Sequence, residues 1–381
     1  MLLIGAFMQC KIYNKHMEFL IFAFFISLLV TLGLVRYQHL HEKISSDHDL
    51  SGPQKFHTLA VPRIGGIGIF LGILFAGLLT FWGFKLDRGY LVLQLVTCAL
   101  PAFLVGLLED VTKKIGVKTR LIATAVSAGL VGYFLNAWIT SIQVPGIDWL
   151  LGIGAISIIF TVIGITGLAN AYNIIDGFNG LASMVAMISL LAIGYVAFKA
   201  NDPVLASTCL IVLGAIGGFF IWNYPRGLIF LGDGGAYLIG FLIACLSILL
   251  VQRNPTVSPW FALLVNAYPI FETLFTIWRR KVHQGKNPGL PDGAHFHSLI
   301  YRRLIRWAEV HESKDTASYA KNAKTSPYLW LLSSLAVFPA IIWWQTTWVL
   351  QAFALLFCIS YVWAYNAVVK FKTPSFFNLF K

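Results

Sequence analysis

The chain has 381 residues, 58% hydrophobic and 12% charged, with a formal net charge of +12, where a soluble domain carries about a quarter charged residues. That composition excludes an ordinary water-soluble domain. The five cysteines fall mostly in separate apolar runs and suggest neither a disulfide framework nor a thiolate metal site, and the positive balance is explained by membrane topology and anionic lipid, calling for no nucleic acid.

Apolar runs of about 18 to 22 residues recur along the chain, each long enough to cross roughly 30 Å of hydrocarbon as a helix. They predict about eleven transmembrane helices, at 17–36, 64–82, 89–108, 120–138, 149–169, 180–198, 204–222, 234–251, 258–278, 327–345 and 347–366. The expected fold is therefore all-α, a polytopic integral membrane protein with residues 1–381 forming one transmembrane domain. Lys11 and Lys15 before the first run resemble the start of a signal peptide, but the run is too long and lacks a small-residue cleavage pattern, so it reads as a helix. Lysine and arginine gather in the connections 37–63, 109–120 and 279–326 and in the tail. The positive-inside preference places those connections in the cytoplasm and the amino terminus outside, so whatever chemistry the protein does is expected on the cytoplasmic face.

Four polar clusters interrupt the apolar chain on that face, each with a bland reading beside a chemical one. In "GLLEDVTKKIGVKTRL", Glu109 and Asp110 end the third span ahead of Lys113, Lys114, Lys118 and Arg120. Adjacent carboxylates at a membrane boundary repel each other unless a cation or proton lies between them; the alternative is an acidic helix end balanced by lysines. In "NAYNIIDGFNG", Asn170, Asn173 and Asp176 follow at three-residue intervals and would stack on one side if the helix continued. Helix capping would explain Asp176 or Asn179 but not the two earlier asparagines.

In "FLGDGGAYLIG", Asp233 opens a span between glycines, where it could cap the helix or help hold a phosphate-bound cation; Asn223 ends the preceding span on the same face. Glu272 lies inside the ninth span near Pro269, a costly position that either carries function or is relieved by snorkelling or by pairing with Arg279. In "GLPDGAHFHSL", His295 and His297 suit phosphate binding or proton transfer better than zinc, there being no cysteine partners. "FHSLIYRRLIRWAEVH" then aligns Phe296, Ile300, Leu304, Trp307 and Ala308, with Arg302, Arg303 and Arg306 largely off that side, the pattern of a basic amphipathic helix on a membrane surface. Glu109, Asp110, Asp176 and Asp233 together form a set that a hard cation such as Mg²⁺ explains.

These motifs, in the order "PRIGG", the acidic pair, "NAYNIIDGFNG", "WNYPRGLIFLGDGG" and the histidines, resemble the polyprenyl-phosphate N-acetylhexosamine-1-phosphate transferase family over roughly residues 63–297. The resemblance implies transfer of a sugar 1-phosphate from a UDP-sugar to a polyprenyl (undecaprenyl) phosphate, with Mg²⁺ as cofactor and Mn²⁺ as the alternative. By the same resemblance, Asp233 with Asp110 would hold the metal, and Glu109, Asp110 and Asp176 would be the catalytic acids. Phe230 would stack on uracil, Asn173, Asp176 and Asn223 would hold the nucleotide end, and Asn170 would also bind substrate. Lys118 and Arg120 would meet the lipid phosphate, and His295 and His297 the diphosphate.

Membrane lipids and a homodimer are the other expected partners. The chain departs from the family pattern at Glu109, where an aspartate is usual, at Asn179, at the reduced histidine run and at Ala236, which fits a surface-polysaccharide branch. A transporter or a catalytically inactive member are the rival readings; a CDP-alcohol phosphotransferase would instead concentrate several aspartates in a single motif.

Overall fold

The computed structural model describes residues 2–45, 61–84, 87–285, 292–305 and 318–370. Arg306, Trp307 and Ala308, named above, lie outside the described residues, as do the side chains of Lys11, Lys15 and Leu304. Among the described residues the structure is helical throughout, with α1 Leu2–Arg36, α2 Gln38–Ser45, α3 Gly66–Phe84, α4 Asp87–Thr112 and α5 Val117–Leu135. The chain continues through α6 Ile147–Leu151, α7 Gly154–Ile175, α8 Leu181–Lys199, α9 Pro203–Asn223, α10 Gly232–Arg253, α11 Pro259–Val265 and α12 Ala267–Trp278. It closes with α13 Phe296–Ile300, α14 Ser318–Ile342 and α15 Thr347–Val369.

Nine of these helices are long and apolar enough to cross a membrane, and α11 with α12 makes a tenth when the bent pair is one span. The sequence reading expected about eleven. The remaining position is α5, a 19-residue helix whose first turn holds Lys118 and Arg120; those cations lower its apolar character at the end that meets the polar site. The fifth predicted span also differs, because the chain turns at Gly152 and Ile153 between α6 and α7 and the long helix then continues to Ile175. Residues 170–175, expected as a connection, are thus the last turns of a helix.

The ninth predicted span is broken, α11 and α12 meeting at 74°. Pro269 has no N–H to offer the Val265 carbonyl four residues back, and Ser189 Oγ donates to that carbonyl instead at 3.1 Å. Asn266, at the break, donates to Ala262 O at 2.9 Å and accepts from the Tyr172 hydroxyl at 3.3 Å. Neighbouring helices therefore satisfy the backbone that the bend releases, as a membrane interior requires.

At the centre stands α10, buried continuously from Gly232 to Ser247 and packed by α3, α4, α7 and α8. Small residues make this close approach feasible: a Cβ placed on Gly106 of α4 would lie 2.7 Å from Gly234 Cα. Opposite its polar end, α10 is tied to α9 by Arg253, whose Nε and Nη2 donate to Asp202 at 2.7 and 3.0 Å. Asp202 also caps α9 by accepting from Leu205 N at 3.0 Å, with Pro203 in the first turn. Helices α3, α5, α8 and α10 begin, and α4, α7 and α9 end, at the other face of the bundle, which gathers the polar motifs there.

Candidate active site

The site is built where two glycine-containing segments run side by side. Phe230 N donates to Pro62 O at 2.8 Å, Gly65 N to Phe230 O at 3.0 Å, and Gly66 N to Leu231 O at 3.0 Å. This pairing sets Arg63 beside the start of α10. Gly232 adopts a φ of +75°, and a Cβ there would press on the Arg63 carbonyl and lie 2.6 Å from Asp110 Oδ2, so only glycine lets the three segments meet.

Asp110, 2% exposed, accepts from Asp233 N at 2.8 Å and from Gly234 N at 2.9 Å. It caps α10 from another helix, satisfying amides that a helix start leaves without partners. Asp233 is consequently not needed as its own helix cap. Its carboxylate accepts from Asn173 Nδ2 at 3.0 Å, lies 3.6 Å from Arg63 Nη2 and pairs with Arg120. Arg63 Nε stands 4.0 Å from Asp110 Oδ1. Two guanidiniums, two carboxylates and a carboxamide thus converge in one cluster at the end of the bundle.

Other predicted residues sit around this centre. Asn170, one turn before Asn173, accepts from the Tyr237 hydroxyl at 3.0 Å, and Arg120 lies over the Tyr237 ring at 5.9 Å from its centroid. Lys118 is exposed on the first turn of α5. Asn223 uses both amide atoms on backbone, accepting from Gly180 N at 2.6 Å and donating to Ile229 O at 2.8 Å. Phe230 is half-buried in the paired segment.

The two carboxylates of the acidic pair accept from different amides: Glu109 Oε2 accepts from Ile115 N at 2.6 Å, a bond that shapes the turn into α5. Separate amides answer the repulsion for which a shared cation was one explanation. Asn179 anchors the Asp-Gly-Phe-Asn-Gly turn to α14, its N–H donating to Asn322 Oδ1 at 2.8 Å and its carbonyl accepting from Ser326 Oγ at 2.6 Å.

Asp176 follows the last turn of α7. Burial pushes its carboxyl up to about 7, with Arg63 acting in the opposite sense. An acid whose folded pKa is raised contributes stability that is complete below its unfolded value near 4 and is lost as pH rises through about 7. The ligand-free protein should therefore melt a few degrees lower at pH 8 than at pH 5.5, and Asp176→Asn should remove a measurable part of that difference in detergent thermal-shift scans. An unchanged pH dependence in the variant would contradict the placement.

The histidines come to the same end by a different route. His297, 3% exposed, packs edge-on to Phe178 with ring centroids 5.5 Å apart, and a Cβ on Gly177 would lie 2.9 Å from its Nε2. Burial, reinforced by His295, pushes the His297 imidazole down to about 3, so it is neutral at physiological pH. His295 stacks on His297 at 5.2 Å and donates from Nδ1 to Glu272 Oε1 at 3.0 Å.

Glu272 thus engages His295, whereas Arg279 pairs with Asp292. The helix expected to lie on the membrane surface is, over Phe296–Ile300, buried on every side, and the Arg303 guanidinium donates to Val368 O at 3.1 Å at the end of α15. Helices α14 and α15 pack against this segment, and residues 306–311 of the expected helix lie outside the described residues.

Sequence reasoning did not place Arg63 or Tyr237 at the site. Tyr237 stands four residues, one helical turn, after Asp233, a spacing that could have found it. Arg63 was visible only as part of "PRIGG".

The profile of glycosyl transferase family 4 matches residues 92–251. The chain is 26% identical over 336 residues to a probable undecaprenyl-phosphate N-acetylglucosaminyl 1-phosphate transferase of Bacillus subtilis, covering 87% of this chain and 88% of that protein. It is 28% identical over 257 residues to an undecaprenyl-phosphate alpha-N-acetylglucosaminyl 1-phosphate transferase of Salmonella typhi, covering 65% and 67% of the two chains. A Thermotoga maritima protein of that same description is 28% identical over 259 residues, covering 68% and 74%.

Proposed function

We propose that this chain, which belongs to glycosyl transferase family 4, joins two anions at the polar end of its helix bundle, transferring an N-acetylhexosamine 1-phosphate from a UDP-sugar to undecaprenyl phosphate. The products are undecaprenyl-diphospho-sugar and UMP, the first step of a cell-envelope polysaccharide, carried out on the cytoplasmic face of a bacterial inner membrane. The observation that carries this reading is the Asp233 carboxylate held between Arg63, Arg120 and Asn173 at the head of α10.

An oxygen of the lipid phosphate attacks the sugar-bearing phosphorus, forming one O–P bond while the bond from that phosphorus to the UMP oxygen breaks. Phosphoryl transfer of this kind depends on alignment and charge neutralisation more than on covalent help from the protein. Arg63 and Arg120 neutralise phosphate oxygens as the substrates displace them from Asp233, and the exposed Lys118 draws the lipid headgroup to the pocket. Asn173, reoriented from Asp233, and Asn170 bind the nucleotide side, with Phe230 along the base. Asp176, with its raised pKa, takes up or releases a proton near neutrality, and His295 with His297 receives the diphosphate.

The donors suit a hard cation: Asp110 and Asp233 offer carboxylate oxygens, and among the described residues no group of three His, Cys, Asp or Glu could hold a metal ion, so water and phosphate would complete the shell. Asp233 and Asp110 would hold Mg²⁺, or Mn²⁺, which when bound supplies positive charge to the phosphate oxygens.

Purified protein with Mg²⁺ and undecaprenyl phosphate should release UMP from at least one member of a panel of UDP-N-acetylhexosamines, and chelation should stop it. A protein that bound these ligands yet released no UMP from any of them would favour the inactive or transport reading. Activity retained after complete chelation would remove the metal from the proposal while leaving the transfer.

A further inference from the structure

An ionisable residue inside a membrane helix needs a reason, and Glu272, 1% exposed, has one that leads out of its own helix. Besides His295 Nδ1, its carboxylate accepts from Phe296 N at 3.2 Å and from the Tyr361 hydroxyl of α15. Thr276 Oγ1 stands 3.5 Å away. Tyr365, one turn beyond Tyr361, donates to Ala294 O at 3.1 Å. The backbone on both sides of His295 is thereby held by α12 and α15, and these groups all lie beyond residue 251, where the family match ends.

We propose that Glu272 is a positioning residue for sugar-nucleotide binding, fixing the orientation and the Nδ1–H of the His295 ring. The proposal rests on the transferase reading above. A carboxylate only accepts, so Nδ1 of His295 carries the proton and Nε2 is its remaining polar atom.

Among the described residues, His297, neutral at physiological pH, covers one ring face, and Asp292, which is paired with Arg279, acts from the preceding loop. The Tyr361 hydroxyl meets the other carboxylate oxygen of Glu272, and Glu272 is the carboxylate hydrogen-bonded to the ring.

The test is Glu272→Gln, which keeps the side-chain length and an acceptor oxygen but removes the charge. KM for the UDP-sugar is expected to rise about tenfold at pH 8 with kcat changed less than threefold. His295→Asn added to Glu272→Gln should cost little more than either change alone. Tyr361→Phe, which leaves the carboxylate on His295 and Phe296 N, should keep KM within threefold of wild type.

A Glu272→Gln protein with unaltered KM would overturn the proposal, and one that failed to fold would assign Glu272 to the scaffold and overturn it equally. If the wild-type protein releases no UMP at all, the transferase reading fails; if it does and the variant behaves as wild type, only this inference fails.

Discussion

Asp233→Asn is expected to lower UMP release by about 10³-fold at saturating substrates, the cost of losing a preorganised electrostatic group in phosphoryl transfer. The backbone should survive, because the amides at the head of α10 are held by Asp110 and not by the Asp233 side chain. Removing the carboxylate leaves Arg63 and Arg120 facing each other without their anion, so the empty protein should also melt some degrees lower. Added UDP-sugar should restore part of that loss, since its phosphates take the place of the missing charge. Asp110→Asn should behave differently: its amide would present N–H to N–H at one of the two capping bonds, and the melting temperature of the empty protein should fall along with activity. Equal activity in Asp233→Asn and wild type would remove Asp233 from the chemistry.

Gly232→Ala is the second change expected to have a large effect, although it deletes no functional group. The residue has φ +75°, where an L side chain is strained by about 1–2 kcal/mol. Its new methyl group would also be driven against the Arg63 carbonyl and the Asp110 carboxylate. Relief requires the paired segments 62–66 and 230–231 to separate, which moves Arg63 and Asp233 apart. Activity should drop at least a hundredfold, and the protein should lose several degrees of thermal stability in detergent. Gly129→Ala is the matched control, because a Cβ there meets nothing within 4 Å; it should match wild type in both measurements. A Gly232→Ala protein as active as that control would show that the two segments are not held together as described.

Much of this site was legible residue by residue. Asp110, Asn173, Arg120 and Asp233 were each singled out by their position at the end of an apolar run, and the structure brings them into one cluster. The reason is topological: antiparallel spans alternate in direction, so polar residues at alternating helix ends must reach the same face. What each residue does locally was less legible. Asp110 and Glu109 are adjacent in sequence, yet one caps a distant helix and the other shapes its own turn, because neighbouring helical side chains point about 100° apart. Glu272 was recognised as costly, but its partner His295 lies 23 residues away across a connection, beyond the reach of any local pattern.

The amino-acid sequence alone determined that this is a helical membrane protein and which face carries its polar motifs, since hydrocarbon thickness and backbone satisfaction leave few other solutions for such apolar runs. Only the tertiary structure decided that Arg63 reaches Asp233, that the helix near Pro269 breaks, and that His295 is held by an acid from α12. Those outcomes depend on which helix packs beside which, and helix packing in a membrane turns on close surface fit and scattered polar contacts rather than on hydropathy.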